Sequence, residues 1–362
     1  MTKLIGQLEA STDSTPDFSR RAFIRQGLAI GMGGVAGGLA LPGCTIKSEA
    51  NSAESEYQGV SLGKQVLGKK SERSSFEPEI VWGRLGLSDG RFQKPRAMTI
   101  DRADQIYIVD KTGRVQVFDR DGNFLRKWHT PAIANGKPTG LGMSLDHSLM
   151  VADTHYFQVL VYTPQGEPLP QRTIGGANGP GIGQFAFVTD VVQDQSGNYY
   201  ISEYGEFDRI QKYSSTGEFI CRFGETGDGP LQFSRPQSMV IDFQGNLWIS
   251  DACNHRIQVI RCEKERPELV QVFGQQGDRR GDFRYPYGIH LGRDESIYVA
   301  EFGNHRIQKL DLTGKSLGIW GEPGRKPGQL DQPWTLVEDS LGRIHVLDTG
   351  NNRVQRVLLS NL

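Results

Sequence analysis

Short apolar segments that end at a carboxylate recur along most of the chain. Each has five residues that run apolar or alternate, which is typical of β-strands buried on both faces. The segments end at Asp110, Asp153, Glu203, Asp251, Glu301 and Asp348, so their spacings are 43, 50, 48, 50 and 47 residues. A nearly fixed period of this length predicts a repeat architecture.

Each of these segments is followed by a second strand, such as HRIQVI from His255 or HRIQKL from His305. A third short strand usually ends in an aromatic or apolar residue, and at four of these a proline lies 13 residues further on. The four prolines open the next apolar strand and are Pro95, Pro236, Pro286 and Pro333. Glycine-rich turns separate the strands. With the strand opened by the proline included, each unit contains four strands.

Four-stranded units of this length predict the blades of a β-propeller, because a single blade cannot bury both faces of its sheet. We therefore expect an all-β, six-bladed propeller of four-stranded blades over residues 77–362. The last unit has only three strands before Leu362. We expect an N-terminal strand near Ile80 to Trp82 to complete it and to remove the exposed sheet edge.

The segment after the carboxylate carries a signature, D-x-x-N-x-R-[IV]-Q, that resembles the NHL repeat. The signature is clearest at Asp251–Gln258, Glu301–Gln308 and Asp348–Gln355. The resemblance implies the propeller fold and leaves the function open, because propellers host unrelated activities. Within the repeat we expect each carboxylate except Asp153 to pair with a local arginine. A ring of six carboxylates that binds a metal is the alternative.

Composition narrows the classes of protein. The 362 residues carry 41 Lys+Arg against 42 Asp+Glu, a net charge of −1. A dedicated nucleic-acid binder usually shows a basic excess, so no nucleic-acid partner is expected. With 37% hydrophobic and 23% charged residues, the chain is typical of a globular protein rather than a disordered or membrane-spanning one.

The N-terminal region has the features of an export signal. Residues 19–25 read SRRAFIR, and an uncharged, glycine-rich stretch follows at 27–41. This stretch is shorter than the roughly 20 apolar residues that span a bilayer. The pair Arg20 and Arg21 resembles the twin-arginine export motif, which implies export of the folded chain. A chance Arg-Arg pair beside an apolar run is the alternative.

Residues 41–44 read LPGC, ending at Cys44, and resemble a bacterial lipobox. The resemblance implies a diacylglycerol anchor on Cys44, and ordinary cleavage after Ala40 is the alternative. We therefore predict a signal peptide with a lipobox-like end over 1–44 and a flexible, Ser/Glu/Lys-rich tether over 45–76. The propeller is then expected on the periplasmic or cell-surface side, held to a membrane by its N-terminal lipid.

The residue that follows each blade-opening position is expected to point toward the propeller axis. These residues are Arg96, Thr139, Thr189, Gln237, Tyr287 and Trp334. Asp190 breaks the pattern, because the other units carry Ala, Gly, Ser or Thr at its position. A carboxylate opposite Arg96 and Tyr287 makes these three residues the candidates for catalysis. In the alternative, Asp190 caps a turn or pairs with Arg96.

The face that carries the inter-blade loops is the expected ligand-binding face. The candidate ligand-binding residues are Arg96, Asp190, Gln237, Tyr287, Trp334, His255 and His305. Aromatic rings among basic groups suit an anionic, sugar-like or peptide ligand. A solvated rim that keeps the protein soluble is the alternative.

Enzymes that resemble this chain in fold can be tested residue by residue. The peptidyl-hydroxyglycine amidating lyases hold zinc with three axial histidines, and this chain has none at those positions. Catalytic zinc needs about three protein ligands, and His255 with His305 supplies only two. A gluconolactonase-like hydrolase would need an axial calcium site, where only Asp190 is well placed. No metal ligands are therefore assigned; zinc or calcium stays open as a cofactor, and none is required.

Two functions from different classes remain. The first is an exported, membrane-tethered, monomeric binding module for a protein, peptide or glycan. The second is a periplasmic lyase or hydrolase with a metal-assisted axial site, either amidating-lyase-like or lactonase-like. The sequence favours the binding module, because it shows no complete catalytic constellation.

Overall fold

The structure, a computed structural model, describes residues 76–262 and 266–358. Arg20 and Arg21 of the predicted export motif, the predicted lipidation site Cys44 and the predicted tether lie outside these residues. Within the described ranges, no helix has the length and apolar character needed to cross a membrane.

Six four-stranded antiparallel sheets form the blades of the fold. Within the described ranges the first strand is β1 (Ile80–Trp82). Blade 1 follows and contains β2 (Pro95–Ile100), β3 (Ile106–Asp110), β4 (Arg114–Phe118) and β5 (Phe124–His129). Blade 2 contains β6 (Gly140–Met143), β7 (Leu149–Asp153), β8 (Gln158–Tyr162) and β9 (Ile174–Gly175). Two short strands, β10 (Ala177–Asn178) and β11 (Gln184–Phe185), precede blade 3, which contains β12 (Phe187–Gln193), β13 (Tyr199–Tyr204), β14 (Arg209–Tyr213) and β15 (Phe219–Phe223).

The second half of the chain repeats this plan. After β16 (Glu225–Thr226) and β17 (Gln232–Phe233), blade 4 contains β18 (Pro236–Ile241), β19 (Asn246–Asp251), β20 (Arg256–Arg261) and β21 (Glu268–Phe273). Blade 5 contains β22 (Pro286–Leu291), β23 (Ser296–Glu301), β24 (Arg306–Asp311) and β25 (Ser316–Trp320). After β26 (Glu322–Pro323) and β27 (Gln329–Leu330), blade 6 contains β28 (Pro333–Glu338), β29 (Arg343–Asp348) and β30 (Arg353–Leu358). The described ranges also contain three short 3-10 helices, Thr154–Tyr156, Pro170–Arg172 and Ala252–Asn254.

The blades close into a ring. The first strand of each blade packs against the first strands of both neighbouring blades. The sixth sheet has the order β1-β30-β29-β28, with Trp82 paired to Val354. The predicted six-bladed propeller and its completion by the N-terminal strand are therefore confirmed. Closure covers the outer edge of β30 with β1, where the two described ends of the chain meet.

Burial explains the strand pattern of the sequence. The second strands β3 and β7 are buried at every position, because adjacent blades cover both of their faces. The outermost strand β5 instead alternates between half-buried and exposed residues. Continuous apolar runs therefore mark the inner part of each blade, and period-two alternation marks its solvent side.

An ion pair joins the second and third strands in five blades. The pairs are Asp110–Arg114 at 2.6 Å, Glu203–Arg209 at 2.6 Å, Asp251–Arg256 at 2.8 Å, Glu301–Arg306 at 2.5 Å and Asp348–Arg353 at 2.7 Å. Each arginine also donates to backbone carbonyls of the loop that precedes its own blade. Arg256, for example, reaches the carbonyls of Asp228, Gly229 and Gln232 at 2.5 to 2.9 Å. We call these five arginines the latch arginines.

The five loops held in this way also share a buried apolar residue. It lies three positions before the blade opening and is fully buried in each case, as Phe92, Phe185, Phe233, Phe283 and Leu330. We call these the plug residues. Latch and plug together fix each loop against the blade that follows it.

Candidate ligand site at the axial mouth

Five of the six residues predicted to face the axis lie in β-bulges, and the pairing of β6 with β7 next to the sixth, Thr139, shows no register shift. In five blades the register between the first and second strands shifts at the blade opening, for example between Pro95 and Ala97. The shift leaves Arg96, Thr189, Gln237, Tyr287 and Trp334 outside the regular pairing. A bulge turns its extra residue away from the usual alternation. In each of these five blades, the bulge therefore points a side chain in a direction that the regular strand alternation would not give.

The channel on the axis is narrow. Its cavity of about 30 Å³ is lined by Thr139, Thr189, Asp190, Gln237, Tyr287 and Trp334, among others. This volume holds about one or two water molecules. A β-carbon on Gly140 would lie 2.2 Å from the carbonyl oxygen of Thr189, so the first strands of blades 2 and 3 are closely packed. A ligand larger than water therefore does not fit inside this cavity.

Asp190 joins two blades from inside this channel. Its carboxylate accepts the backbone N–H of Val191 at 2.9 Å and that of Met239, in blade 4, at 2.8 Å. Burial raises its pKa to about 7, against the opposing effect of these hydrogen bonds. Within the described ranges Asp190 forms no ion pair with Arg96, so the bonds it does make are those of a structural cap.

Two arginines and three aromatic rings form the rim of the channel. The guanidinium of Arg96 lies 5.6 Å from the centre of the Trp334 ring. The guanidinium of Arg235 lies 4.6 Å from the Tyr204 ring and 5.2 Å from the Tyr287 ring. We call these five residues the axial mouth. Four of them come from blades 1, 3, 5 and 6, and Arg235 comes from the loop that opens blade 4.

The electrostatics of the axial mouth favour an anion. Burial lowers the pKa of Arg96, and the nearby charge of Arg235 lowers it further. Within residues 76–262 and 266–358, no carboxylate forms an ion pair with Arg96. Arg235 donates its Nε–H to Oε1 of Gln237 at 2.9 Å, and this hydrogen bond orients the guanidinium. The carboxylate of Asp208 lies near Arg235 and accepts its backbone N–H at 2.8 Å. Arg96 has no such carboxylate partner among the described residues, so a bound negative charge would stabilise it.

His255 and His305 connect neighbouring blades. The Nδ1 atom of His255 accepts the backbone N–H of Tyr285 at 3.1 Å. His305 accepts the backbone N–H of Gln332 in the same way and at the same distance. Burial, followed by the charge of Arg284, lowers the pKa of His255. The structure thus places both imidazoles in blade-to-blade hydrogen bonds outside the axial mouth.

The described axial residues do not fit a zinc or calcium site. Among residues 76–262 and 266–358, no three His, Cys, Asp or Glu side chains converge in a way that could hold a metal ion. The lining of the channel has one carboxylate, Asp190, and that group is already bonded to two backbone N–H groups.

Two residues of the axial mouth were not singled out by the sequence. Arg235 is one of many basic loop residues, and Tyr204 follows the carboxylate of blade 3. Only the structure brings them together, because the contact crosses from blade 3 to the loop before blade 4. The sequence feature that could have identified Arg235 is its position directly before a blade-opening proline.

The closed ring of six four-stranded blades defines the chain as a six-bladed β-propeller. The sequence model of the NHL repeat matches residues 233–260, in blade 4. NHL repeat-containing protein 3 from Mus musculus is 29% identical over 168 residues, covering 42% of this chain and 48% of that protein. Peptidyl-glycine alpha-amidating monooxygenase A from Xenopus laevis is 32% identical over 200 residues, covering 53% of this chain and 19% of that protein.

A solved structure of virginiamycin B lyase from Staphylococcus aureus has the same fold. Its TM-score is 0.52 at 15% identity, and the match covers 74% of this chain and 96% of that one. This likeness shows the fold alone. The curated relatives are matched over about half of their length or less.

Proposed function

We propose that this propeller is an exported binding module whose axial mouth holds an acidic group of a peptide between Arg96 and Arg235. The observation that carries the proposal is the pair of neighbouring guanidiniums, each over an aromatic ring, above a channel that admits only water. An acidic group at this place would meet charged donors from two sides.

The residue types suit carboxylate recognition. Arginine presents its donors in a planar fork that matches the two oxygens of a carboxylate. The partly exposed ring of Tyr204 offers a rigid apolar surface for the groups next to that carboxylate. The buried rings of Tyr287 and Trp334 hold the guanidiniums in place. The net charge of −1 gives no long-range attraction, so recognition would be local.

A peptide is favoured over a glycan or a folded protein as the ligand. The Xenopus relative is named for its action on peptidyl-glycine, and it is matched over half of this chain. A peptide also combines a carboxylate with apolar side chains, which is the chemistry the axial mouth offers.

A calorimetric titration with acetyl-Ala-Phe-Gly, which has a free carboxylate, tests the proposal. We expect Arg96→Gln and Arg235→Gln each to weaken binding by about tenfold or more, the usual effect of losing a charged hydrogen bond. The C-terminal amide of the same peptide should bind at least as weakly to the unaltered protein. Arg280→Gln is the matched control, because Arg280 is an exposed loop arginine outside the axial mouth.

Equal binding of acid and amide would contradict the proposal. The same conclusion would follow if Arg280→Gln weakened binding as much as Arg96→Gln, since only general surface charge would then be involved.

The second candidate function is a lyase or hydrolase with an axial site. It is favoured by Asp190, a channel carboxyl whose pKa burial raises to about 7, within range of proton transfer near neutral pH. Mass spectrometry of the incubated peptide decides between the two functions. Turnover that is lost in Asp190→Asn and kept in Arg280→Gln would favour the enzyme. Metal assistance would further require one equivalent of zinc or calcium that survives dialysis.

A further inference from the structure

The carboxylate at the end of the second strand is heavily bonded in a typical blade. In blade 4, Asp251 accepts the backbone N–H of Ser234 at 2.7 Å. It also accepts side-chain N–H groups from Asn254 at 2.9 Å, from Arg256 at 2.8 Å and from Gln258 at 3.1 Å. Blades 5 and 6 repeat this set of donors. In these blades a cation and several N–H groups offset the unfavourable free energy of burying the carboxylate.

Blade 2 keeps the carboxylate and loses its donors. Asp153 is 0% exposed, and its only hydrogen bond within the described ranges is a 3.2 Å bond from Gln158 to Oδ2. Its Oδ1 is buried and has no partner there. The sequence explains the loss, since Gln158 stands in the place of the latch arginine and Tyr156 in the place of Asn254. Leu160 stands in the place of Gln258.

The loop before blade 2 also lacks a plug. The position three residues before Pro138 is Asn135, which is exposed. A groove of about 250 Å³ lies along this blade, lined by Pro131, Leu160, Tyr162, Leu169, Pro170 and Thr173, among others. The other five blades fill the corresponding junction with their own loop, plug and latch.

The groove lies close to the carboxylate of Asp153, whose Oδ1 has no partner among the described residues. In blades 3 to 6 the glutamine at the position of Leu160 reaches its carboxylate at 2.8 to 3.1 Å. The floor of the groove at Leu160 is therefore about one side chain's length from Asp153. Tyr162, also in the groove, responds to the same charge, because burial and Asp153 together raise its pKa to about 12.

A buried carboxylate without a cation is unfavourable. Burial raises the pKa of Asp153 to about 6, so the group is still mostly ionised at neutral pH. A guanidinium is the cation that meets this carboxylate in all five other blades. The groove adds apolar and proline surfaces that suit the methylene stem of an arginine and the residues beside it.

We propose that the groove of blade 2 binds an arginine side chain of a peptide segment in a partner protein, with its guanidinium paired to Asp153. Apolar residues next to that arginine take the place of the missing plug. The partner thus supplies in trans the latch that the other blades carry in cis. This site shares no residue with the axial mouth, so the two proposals can fail independently.

The test is a calorimetric titration of the full chain with acetyl-Leu-Arg-Leu-amide, a probe without a carboxylate. We expect saturable binding that weakens by about tenfold or more when citrulline replaces arginine, because citrulline keeps the shape and loses the charge. Asp153→Asn should weaken binding to the same extent. It removes a buried charge at constant volume, so we expect it to fold, and its thermal unfolding temperature checks this.

Two further variants sharpen the test. Gln158→Arg restores the latch in cis, so it should abolish binding and raise the unfolding temperature. Glu167→Gln is the matched control, since Glu167 is an exposed carboxylate next to Gly166 and Pro168 of the groove, and binding should stay within about twofold. The proposal is overturned by equal binding of the citrulline peptide, by an unchanged affinity of Asp153→Asn, or by no saturable binding at millimolar peptide.

Discussion

Asp153 and its five counterparts show how the surrounding residues change the environment of a repeated carboxylate. The same carboxylate is a paired, hydrogen-bonded group in Asp251 and a nearly unpartnered one in Asp153. The difference follows from three replacements at equivalent places, Gln158 for Arg256, Tyr156 for Asn254 and Leu160 for Gln258, of which the first removes the cation. Breaking a buried ion pair by losing one partner typically costs about 3–5 kcal/mol, so blade 2 should carry a local destabilisation that the other blades avoid.

This destabilisation has a defined pH dependence. Burial raises the pKa of Asp153 to about 6, whereas an unfolded aspartate titrates near about 3.9. Between these values the folded protein binds more protons than the unfolded one, so stability from this group falls as pH rises from about 4 to about 6. Asp153→Asn removes the effect. The variant should therefore exceed the unaltered protein in free energy of unfolding by up to about 3 kcal/mol at pH 7.

Urea unfolding at pH 4.5 and pH 7.5 measures this difference. The gain should be small at the lower pH and near its maximum at the higher one. A gain of the same size at both pH values would show that Asp153 is not the titrating group. Glu167→Gln again serves as the control and should give no pH-dependent difference.

Part of the candidate site could be predicted from sequence at this scale. The axial position of Arg96, Tyr287 and Trp334 follows from counting after the blade-opening residues. The hydrogen bonds of Asp190 could not be predicted in this way, because its partner Met239 lies on another blade. Distances across blades depend on how closely the first strands approach, which sequence spacing does not determine.

At the scale of elements, the three-residue strand β1 contacts two blades. Trp82 packs 4.7 Å from the ring of Phe118, and Glu79 pairs with Arg356 at 2.8 Å. β1 therefore covers the edge of β30 and also contributes to the packing of blade 1. Removing it would expose both an apolar surface and a row of backbone hydrogen-bonding groups.

A pair of truncations tests this role. A chain that begins at residue 84 lacks β1, and a chain that begins at residue 76 keeps it. We expect the shorter chain to lose about 3–5 kcal/mol of stability, the typical cost of deleting a packed tryptophan, and to self-associate through β30. Unfolding curves and light scattering measure the two effects. Equal stability and mass per particle for the two chains would show that β1 does not close the ring.

The strand plan was predictable because period, apolar runs and blade-opening prolines all agree. The plug residues and the two-residue parallel ladders, such as β16 with β17, were not. A two-residue ladder has almost no sequence signature. It forms because a latch arginine nearly 30 residues away in the chain holds the loop carbonyls in place, as Arg256 does for Asp228.

At the scale of the whole molecule, export and anchoring stay predictions from the SRRAFIR and LPGC sequences. Cys44→Ser removes the thiol that a lipid would modify. We expect most of the variant to move from the membrane fraction to the soluble fraction, because anchoring depends on the apolar area of the acyl chains. Fractionation with immunoblotting measures the shift.

Cys253→Ser is the control for this experiment, because Cys253 lies in a 3-10 helix of the propeller, far along the chain from the lipobox-like sequence. That variant should stay with the membrane. If both variants fractionate like the unaltered protein, Cys44 does not carry the anchor.

The missing latch and plug of blade 2 have a mechanical consequence. A closed ring under thermal stress opens at its weakest joint, and five of the six joints here are fastened by an arginine that crosses from one blade to the loop before it. Among the described residues, the joint between blades 1 and 2 lacks this latch arginine, although Arg126 of blade 1 donates to the carbonyl oxygen of Pro164 in blade 2. Breathing of the ring should therefore begin there, while the joint formed by β1 and β30 stays shut. We therefore expect the ring to open first between blades 1 and 2, away from the joint formed by β1 and β30. A ligand that fills the groove of blade 2 should then make the whole ring more rigid.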